Sequence, residues 1–234
     1  EIGAGVLRRT RHELVAVGGT GLRRAGKEQI ERYKGAAPAD VFKGMLNVYS
    51  GDGRNSGALD PNVRGIQGPG RVPFSHAVAD VIEPFTPPVV SFHFGLPAPD
   101  LLARVKGWGS LVMSSATTVD EARWLQAQGA DAIIAQGLEA GGHRGLFLNN
   151  DLSTQLGTFA LLPQVVAAVD VPVVAAGGIA DAAGVRAAMA LGARAVQVGT
   201  AYLCCHEAST SAVHRAALLS PESNHTELTT LFSG

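Results

Sequence analysis

From residue 89 onward, short apolar runs alternate with stretches of mixed apolar and polar character. Runs at 89–95, 110–115, 131–136, 171–176 and 195–198 are continuous rather than alternating and end in, or run directly into, Gly, Ser, Gln or Gly-Thr, which predicts five buried strands. Between them, 99–108, the segment from Thr118 to Gly129, 161–169, and 182–191 closed by Gly192 predict helices. Thr118 followed by Glu121 has the spacing of a capping box. A long connection, 137–157, separates the third run from its helix. Residues 1–88 are less regular. There 13–17 reads as a strand or a helix end, 27–34 as a helix, 45–49 as a strand containing Asn47, and 74–85 as a helix. The Gly/Asn/Asp/Pro-rich stretch 50–71 reads as a loop.

Strand–helix alternation with fully apolar strands predicts parallel βα units. Two architectures compete, an open doubly wound sheet and a (β/α)8 barrel. No GxGxxG follows a first strand, which weakens the former. Polar or glycine residues close each run: Ser114-Ser115, Gln136, Gly177-Gly178 and Gly199-Thr200. Barrel enzymes place their chemistry at those C-terminal tips.

Composition narrows the class. The 234 residues include 29 glycines, 46% hydrophobic residues and only 6% aromatics, so small aliphatics build the core. Nineteen basic and twenty acidic side chains leave a formal charge of -1, which argues against a nucleic-acid or membrane-surface protein. Residues 1–34 carry eight basic and four acidic side chains, read as a solvated helix face. Cys204 and Cys205 are adjacent and unsuited to a disulfide framework, so a reducing cytoplasm is the expected compartment. Cys204-Cys205-His206 has no further ligands at zinc spacing, and no metal is expected.

Three segments carry candidate chemistry. Ala175-Ala176-Gly177-Gly178-Ile179 ends a strand in two glycines before a helix, which predicts bare backbone N–H groups for an anion. Gln197-Val198-Gly199-Thr200 repeats the arrangement one βα unit later, and paired tips on successive strands fit a barrel phosphate site. The loop Gln136-Gly137-Leu138-Glu139-Ala140-Gly141-Gly142-His143-Arg144-Gly145 holds a histidine beside a glycine bed that lets backbone lie against a planar group. A loop histidine there suits proton transfer near neutral pH, whereas Glu139 and Arg144 read as loop-organising. His93 reads equally as a residue contacting substrate at the barrel mouth and as a lining histidine.

Together with Ser91-Phe92-His93-Phe94-Gly95-Leu96-Pro97, these segments resemble the nitronate monooxygenase family, over about 68–234 and most densely over 89–208. The resemblance implies a single FMN-binding (β/α)8 TIM barrel over 1–234, with 1–67 poorly matched. It implies oxidation of alkyl nitronates or nitroalkanes by O2 to a carbonyl compound and nitrite. It places His143 at the general base. Gln136 and Gly141 fall at flavin contacts, Gly178, Gln197, Val198, Gly199 and Thr200 at the phosphate cradle, and Asn47 at a further FMN contact. The family's opening Pro-Met-Ala-Gly-like segment has no counterpart in 1–30, and family members continue past Leu231-Phe232-Ser233-Gly234. The expectation is therefore a barrel incomplete at its N-terminus and truncated at its C-terminus. An FMN-dependent enoyl-acyl-carrier-protein reductase of the same barrel type and a flavin-binding protein without turnover are the alternatives.

Overall fold

A computed structural model describes residues 8–10, 13–17, 45–49, 73–206, 208 and 210–229, the first three segments as backbone. The expected helix 27–34, the expected loop 50–71 and the side chain of Asn47 lie outside the described residues. Among the described residues eight strands form one sheet: β1 (Arg8–Thr10), β2 (Glu13–Val17), β3 (Met45–Tyr49), β4 (Val89–His93), β5 (Leu111–Ala116), β6 (Ala132–Gln136), β7 (Val173–Ala176) and β8 (Ala195–Val198). Its order is β1-β2-β8-β7-β6-β5-β4-β3, with every pairing parallel except β1 with β2.

The order decides between the competing architectures. Strands β3 to β8 sit side by side in chain order, with no reversal of the kind that defines a doubly wound sheet. Strand β2, early in the chain, pairs beyond β8 rather than beside β3, which is the wrap-around connectivity of a barrel. Among the described residues β1 and β3 are the sheet edges, so the described architecture is a curled partial barrel.

The intervening helices cover its outer face: α1 (His76–Ile82), α2 (Pro99–Gly107), α3 (Val119–Ala127), α4 (Thr158–Ala168) and α5 (Ala182–Ala190). Two further helices, α6 (Thr200–Leu203) and α7 (Ala212–Leu218), go beyond the sequence expectations. Ile133, Ala135, Val173, Ala175, Val196 and Val198 pack outward against Leu125, Leu161, Leu162, Val165 and Ala188. A second outer cluster joins Val90, Phe92 and Val112 to Ala79, Leu101 and Val105, with Phe74 and Phe92 edge to face at 5.3 Å. Burying each such Leu or Phe contributes about 1.5–3 kcal/mol. Among the described residues no helix is long and apolar enough to cross a membrane.

One expected boundary and one expected cap are corrected. Helix α4 starts at Thr158 rather than 161, because a carboxylate from far up the chain takes up its first N–H. Glu139 Oε2 accepts from Thr158 N at 2.7 Å. The Thr118–Glu121 capping box is half made. Thr118 Oγ1 accepts from Glu121 N at 3.2 Å, but the Glu121 carboxylate turns to other donors.

Candidate active site

Side chains alternate across a strand, so the inner apolar cluster defines the concave face. Met113, Ile134, Val174, Ala176 and Ala195 form that cluster, with Val89 packed against it. Two residues further along the strands, the same face carries Ser91 and then His93 on β4, Ser115 on β5, Gln136 on β6 and Gln197 on β8. An apolar floor is thus topped by polar side chains at the C-terminal ends of the strands. The register sets Gln136 opposite Ala176 and Ala176 opposite Gln197, so the two glutamines stand two strand spacings, about 10 Å, apart. Asn47 occupies the position opposite Ser91 in the β3–β4 ladder.

The loop after β6 arches over this layer and is pinned by its own ends. Gln136 Nε2 donates to the His143 carbonyl at 2.9 Å, and Gln136 Oε1 accepts from Gly145 N at 2.7 Å. His93 Nε2 lies 3.3 Å from the same His143 carbonyl. Glycine at 145 permits this close approach, since a Cβ there would lie 2.7 Å from His93 Cε1. The structure therefore brings His93, Gln136 and His143 together. His93 is set against the His143 loop on the concave face.

His143 is half-buried, and its Nε2 is shielded from bulk water. Its ring stands edge to face with Phe94 at 6.1 Å, and Phe94 in turn lies 4.4 Å from His93. Phe94 holds φ +65°, a left-handed conformation that costs a non-glycine residue about 1 kcal/mol or more. That turn carries the ring from the end of β4 toward His143.

Arg144 and Glu139 organise the loop, as their positions suggested. The Arg144 guanidinium donates to the carbonyls of Gly137 at 2.7 Å and Leu138 at 3.0 Å. Burial pushes its pKa below the ordinary value, while the charges of Glu139 and Glu121 oppose that shift. Burial pulls the Glu139 carboxyl upward, but hydrogen bonds from backbone N–H groups and the Thr158 hydroxyl, with the Arg144 charge, outweigh it and hold its pKa low. The Thr158 hydroxyl lies 3.0 Å from Glu139 Oε2 and 2.9 Å from the Gly177 carbonyl. It fills the space beside Gly177, where φ is +117° and a Cβ would lie 2.7 Å from Thr158 Oγ1.

The glycine tips differ from expectation in one respect. Gly177 and Gly178 lie in the β7–α5 turn, not at a helix start. Asp181 is the N-cap of α5, and its own carboxylate accepts from Gly184 N at 2.8 Å. Anion binding there would use turn amides rather than a free helix terminus. Gly141 is carried across to the β8 tip, since a Cβ on it would lie 3.3 Å from Thr200 Oγ1. Gly199 borders open space. Gln197 Oε1 is buried without a partner among the described residues. A buried acceptor without a donor is costly, so this oxygen suits the N–H or O–H of a bound cofactor. Together, the orphaned oxygen and the open glycine tips fit a planar, phosphate-bearing group. Among the described residues no cluster of His, Cys, Asp or Glu is arranged to hold a metal ion.

Sequence reasoning assigned no site role to Phe94 and read Glu121 only as a helix cap. Glu121 is 1% exposed and binds the backbone of the His143 loop. A buried carboxylate at the third position of a helix gives no sign in sequence that its partners lie elsewhere.

A family model described as nitronate monooxygenase matches residues 61–234. The nitronate monooxygenases of Paraburkholderia phytofirmans and Pseudomonas aeruginosa are each 49% identical over 148 residues, covering 63% of this chain and 40% and 42% of theirs. The probable nitronate monooxygenase of Bacillus subtilis is 44% identical over 155 residues, 66% of this chain and 45% of its own. The chain thus spans less than half the length of these relatives. The solved nitroalkane oxidase of Streptomyces ansochromogenes is 38% identical with a TM-score of 0.64, covering 87% of this chain and 53% of that one. The M276A mutant of FabK from Thermotoga maritima is 27% identical with a TM-score of 0.63, covering 87% of this chain and 59% of that one.

Proposed function

The chain belongs to the nitronate monooxygenase family, and from that premise we propose that it supplies the base-bearing loop and cofactor-contacting strand tips of an enzyme that oxidises alkyl nitronates or nitroalkanes with O2. The products are a carbonyl compound and nitrite. The observation that carries this reading is the double clamp of Gln136 on His143 and Gly145, which fixes a histidine loop over a polar concave layer.

FMN is the proposed cofactor and, when bound, supplies the redox chemistry. Gln136, Gly141 and Gln197 would meet its ring system and chain, with Asn47 contributing from β3. Gly178, Val198, Gly199 and Thr200 would hold its phosphate through backbone N–H groups and the Thr200 hydroxyl.

The chain's own residues perform the proton step. A neutral His143 takes the α-proton of a nitroalkane. The C–H bond breaks, the proton moves to an imidazole nitrogen, and the electron pair spreads onto the nitro oxygens to give the nitronate. Phe94 restricts the imidazole from one side, and the shielding of Nε2 keeps competing water from the base. His93, on the concave face beside the His143 carbonyl, borders the substrate.

Two measurements test the reading. The purified chain should show flavin absorption bands near 370 and 450 nm (roughly, a property of the cofactor). His143→Asn should lose turnover on a neutral nitroalkane while keeping more of it on the preformed nitronate. Unchanged rates on both substrates would remove His143 from the base role. NADH oxidation with a crotonyl thioester, without nitrite release from nitronates, would move the function to the reductase alternative.

A further inference from the structure

Glu121 stands at a capping position, but its carboxylate serves other partners. It is 1% exposed, and four donors converge on it. Oε2 accepts from Thr117 N at 2.7 Å and from Thr117 Oγ1 at 2.8 Å. Oε1 accepts from Phe147 N at 2.7 Å and from Leu148 N at 3.3 Å. The Thr117 hydroxyl also accepts from Gln155 Nε2 at 2.9 Å. One buried network thus ties the β5–α3 turn to the 137–157 loop at two separate points.

Helix α3 does not require this. Thr118 caps it unaided, and an apolar residue at position 121 would bury as well. A buried carboxylate with no cation at ion-pair distance among the described residues is retained at a cost, and only its hydrogen bonds offset that cost. All four of its donors are backbone N–H or hydroxyl groups that need an acceptor with two oxygens, and two of them belong to the loop.

The path from Glu121 leads to the base. Phe147, held by its N–H, sets its ring 5.2 Å from Trp124 and against Gly95, where a Cβ would lie 3.3 Å from Phe147 Cδ2. Gly95 follows Phe94, whose ring faces His143. Along the chain, Phe147 lies two residues beyond Gly145, the outer end of the Gln136 clamp. The Glu121 charge also favours the charged form of Arg144, the neighbour of His143.

We infer that Glu121 is a positioning residue for His143, acting through the Phe147–Leu148 backbone and the Phe147 ring. This rests on the reading of His143 as the base, but its placement can be measured without turnover. Glu121→Gln keeps the size of the side chain and turns an NH2 group against N–H donors. Thr117→Val is the milder companion, deleting one donor to Glu121 and the acceptor of Gln155. In both variants and the unaltered chain, acylation of His143 by diethyl pyrocarbonate is timed by mass spectrometry, and amide exchange is followed over 119–127 and 143–148.

The expected result is altered His143 acylation and about tenfold faster exchange over 143–148, with exchange over 119–127 unchanged. The effect is smaller in Thr117→Val. Faster exchange confined to 119–127, with unchanged His143 acylation, would reduce Glu121 to a cap and overturn the inference. In the activity arm, nitrite release from a neutral nitroalkane should fall more than from the preformed nitronate. An unaltered chain inactive on both substrates would overturn the proposed reaction, while the acylation and exchange results still decide the placement.

Discussion

Gln136 holds His143 by its backbone and not by its ring. Its amide nitrogen donates to the His143 carbonyl at 2.9 Å, and its amide oxygen accepts from Gly145 N at 2.7 Å. One side chain thereby closes the loop on both sides of the histidine and leaves the imidazole free of that duty. Gln136 is itself buried at the end of β6, so the clamp is anchored in the sheet.

Replacing Gln136 by Leu keeps the volume, strands the buried Gly145 N–H and leaves the His143 carbonyl with only His93 Nε2 beside it. Each lost partner costs about 1–3 kcal/mol. The variant should unfold at lower urea concentration with an unchanged slope, and the Gly145 amide should exchange faster. An unchanged urea midpoint would show that the loop does not depend on this clamp.

Gly145→Ala drives a methyl group into the His93 ring. Overpacking of this kind costs about 1–3 kcal/mol. The cost should fall when His93→Ala is present as well, because the nearest obstacle is then gone and only Gln136 Oε1, at 3.0 Å, still crowds the methyl group. A double-mutant cycle by thermal or urea unfolding checks this, and additivity of the two changes would contradict the contact.

Phe94 separates backbone strain from ring packing. Phe94→Ala loses the ring and keeps the strained φ, whereas Phe94→Gly loses the ring and relaxes the backbone. The glycine variant should be the more stable of the two by about 0.5–1 kcal/mol, a reversal of the usual order. Both should impair the proton step equally if the ring is what restricts His143. Urea unfolding and nitrite release from a neutral nitroalkane measure the two effects.

Glu139 adds a pH dependence. Its folded pKa is held below the ordinary 4.5, so its contribution is fully present above that value and is lost as the pH falls through the folded pKa. The acid side of the stability curve should therefore drop below about pH 4.5 in the unaltered chain. In Glu139→Gln it should be flatter, with lower stability at pH 7. Urea midpoints at pH 7 and in the acid range give the comparison, and parallel curves would remove Glu139 from the account.

Much of the site could be read along the chain because it is written locally. The apolar runs ending in Gln136, Gly177-Gly178 and Gly199-Thr200 announce parallel strands whose tips carry polar groups. The Gly141-Gly142-His143 segment announces a loop for close approach. The choice between the two readings of His93 was not legible, because it depends on which strand face turns inward. Glu121 was misread as a cap because its local spacing to Thr118 is that of a capping box. Its partners Phe147 and Leu148 are 26 and 27 residues away. The start of α4 was missed for the same reason, since Glu139 reaches Thr158 from 19 residues upstream.

Hydrophobic periodicity and turn residues act between near neighbours, so the amino-acid order settles the succession of strands and helices and the residues at each strand end. Which of those residues share a face, and which loop donors a buried carboxylate will serve, depends on the curl of the sheet. The pairing of β2 with β8 and the in-order run from β3 to β8 bend the strand tips toward one another. Only that curvature brings Gln136, His93 and the His143 carbonyl within hydrogen-bonding distance, and sets Gly141 against Thr200.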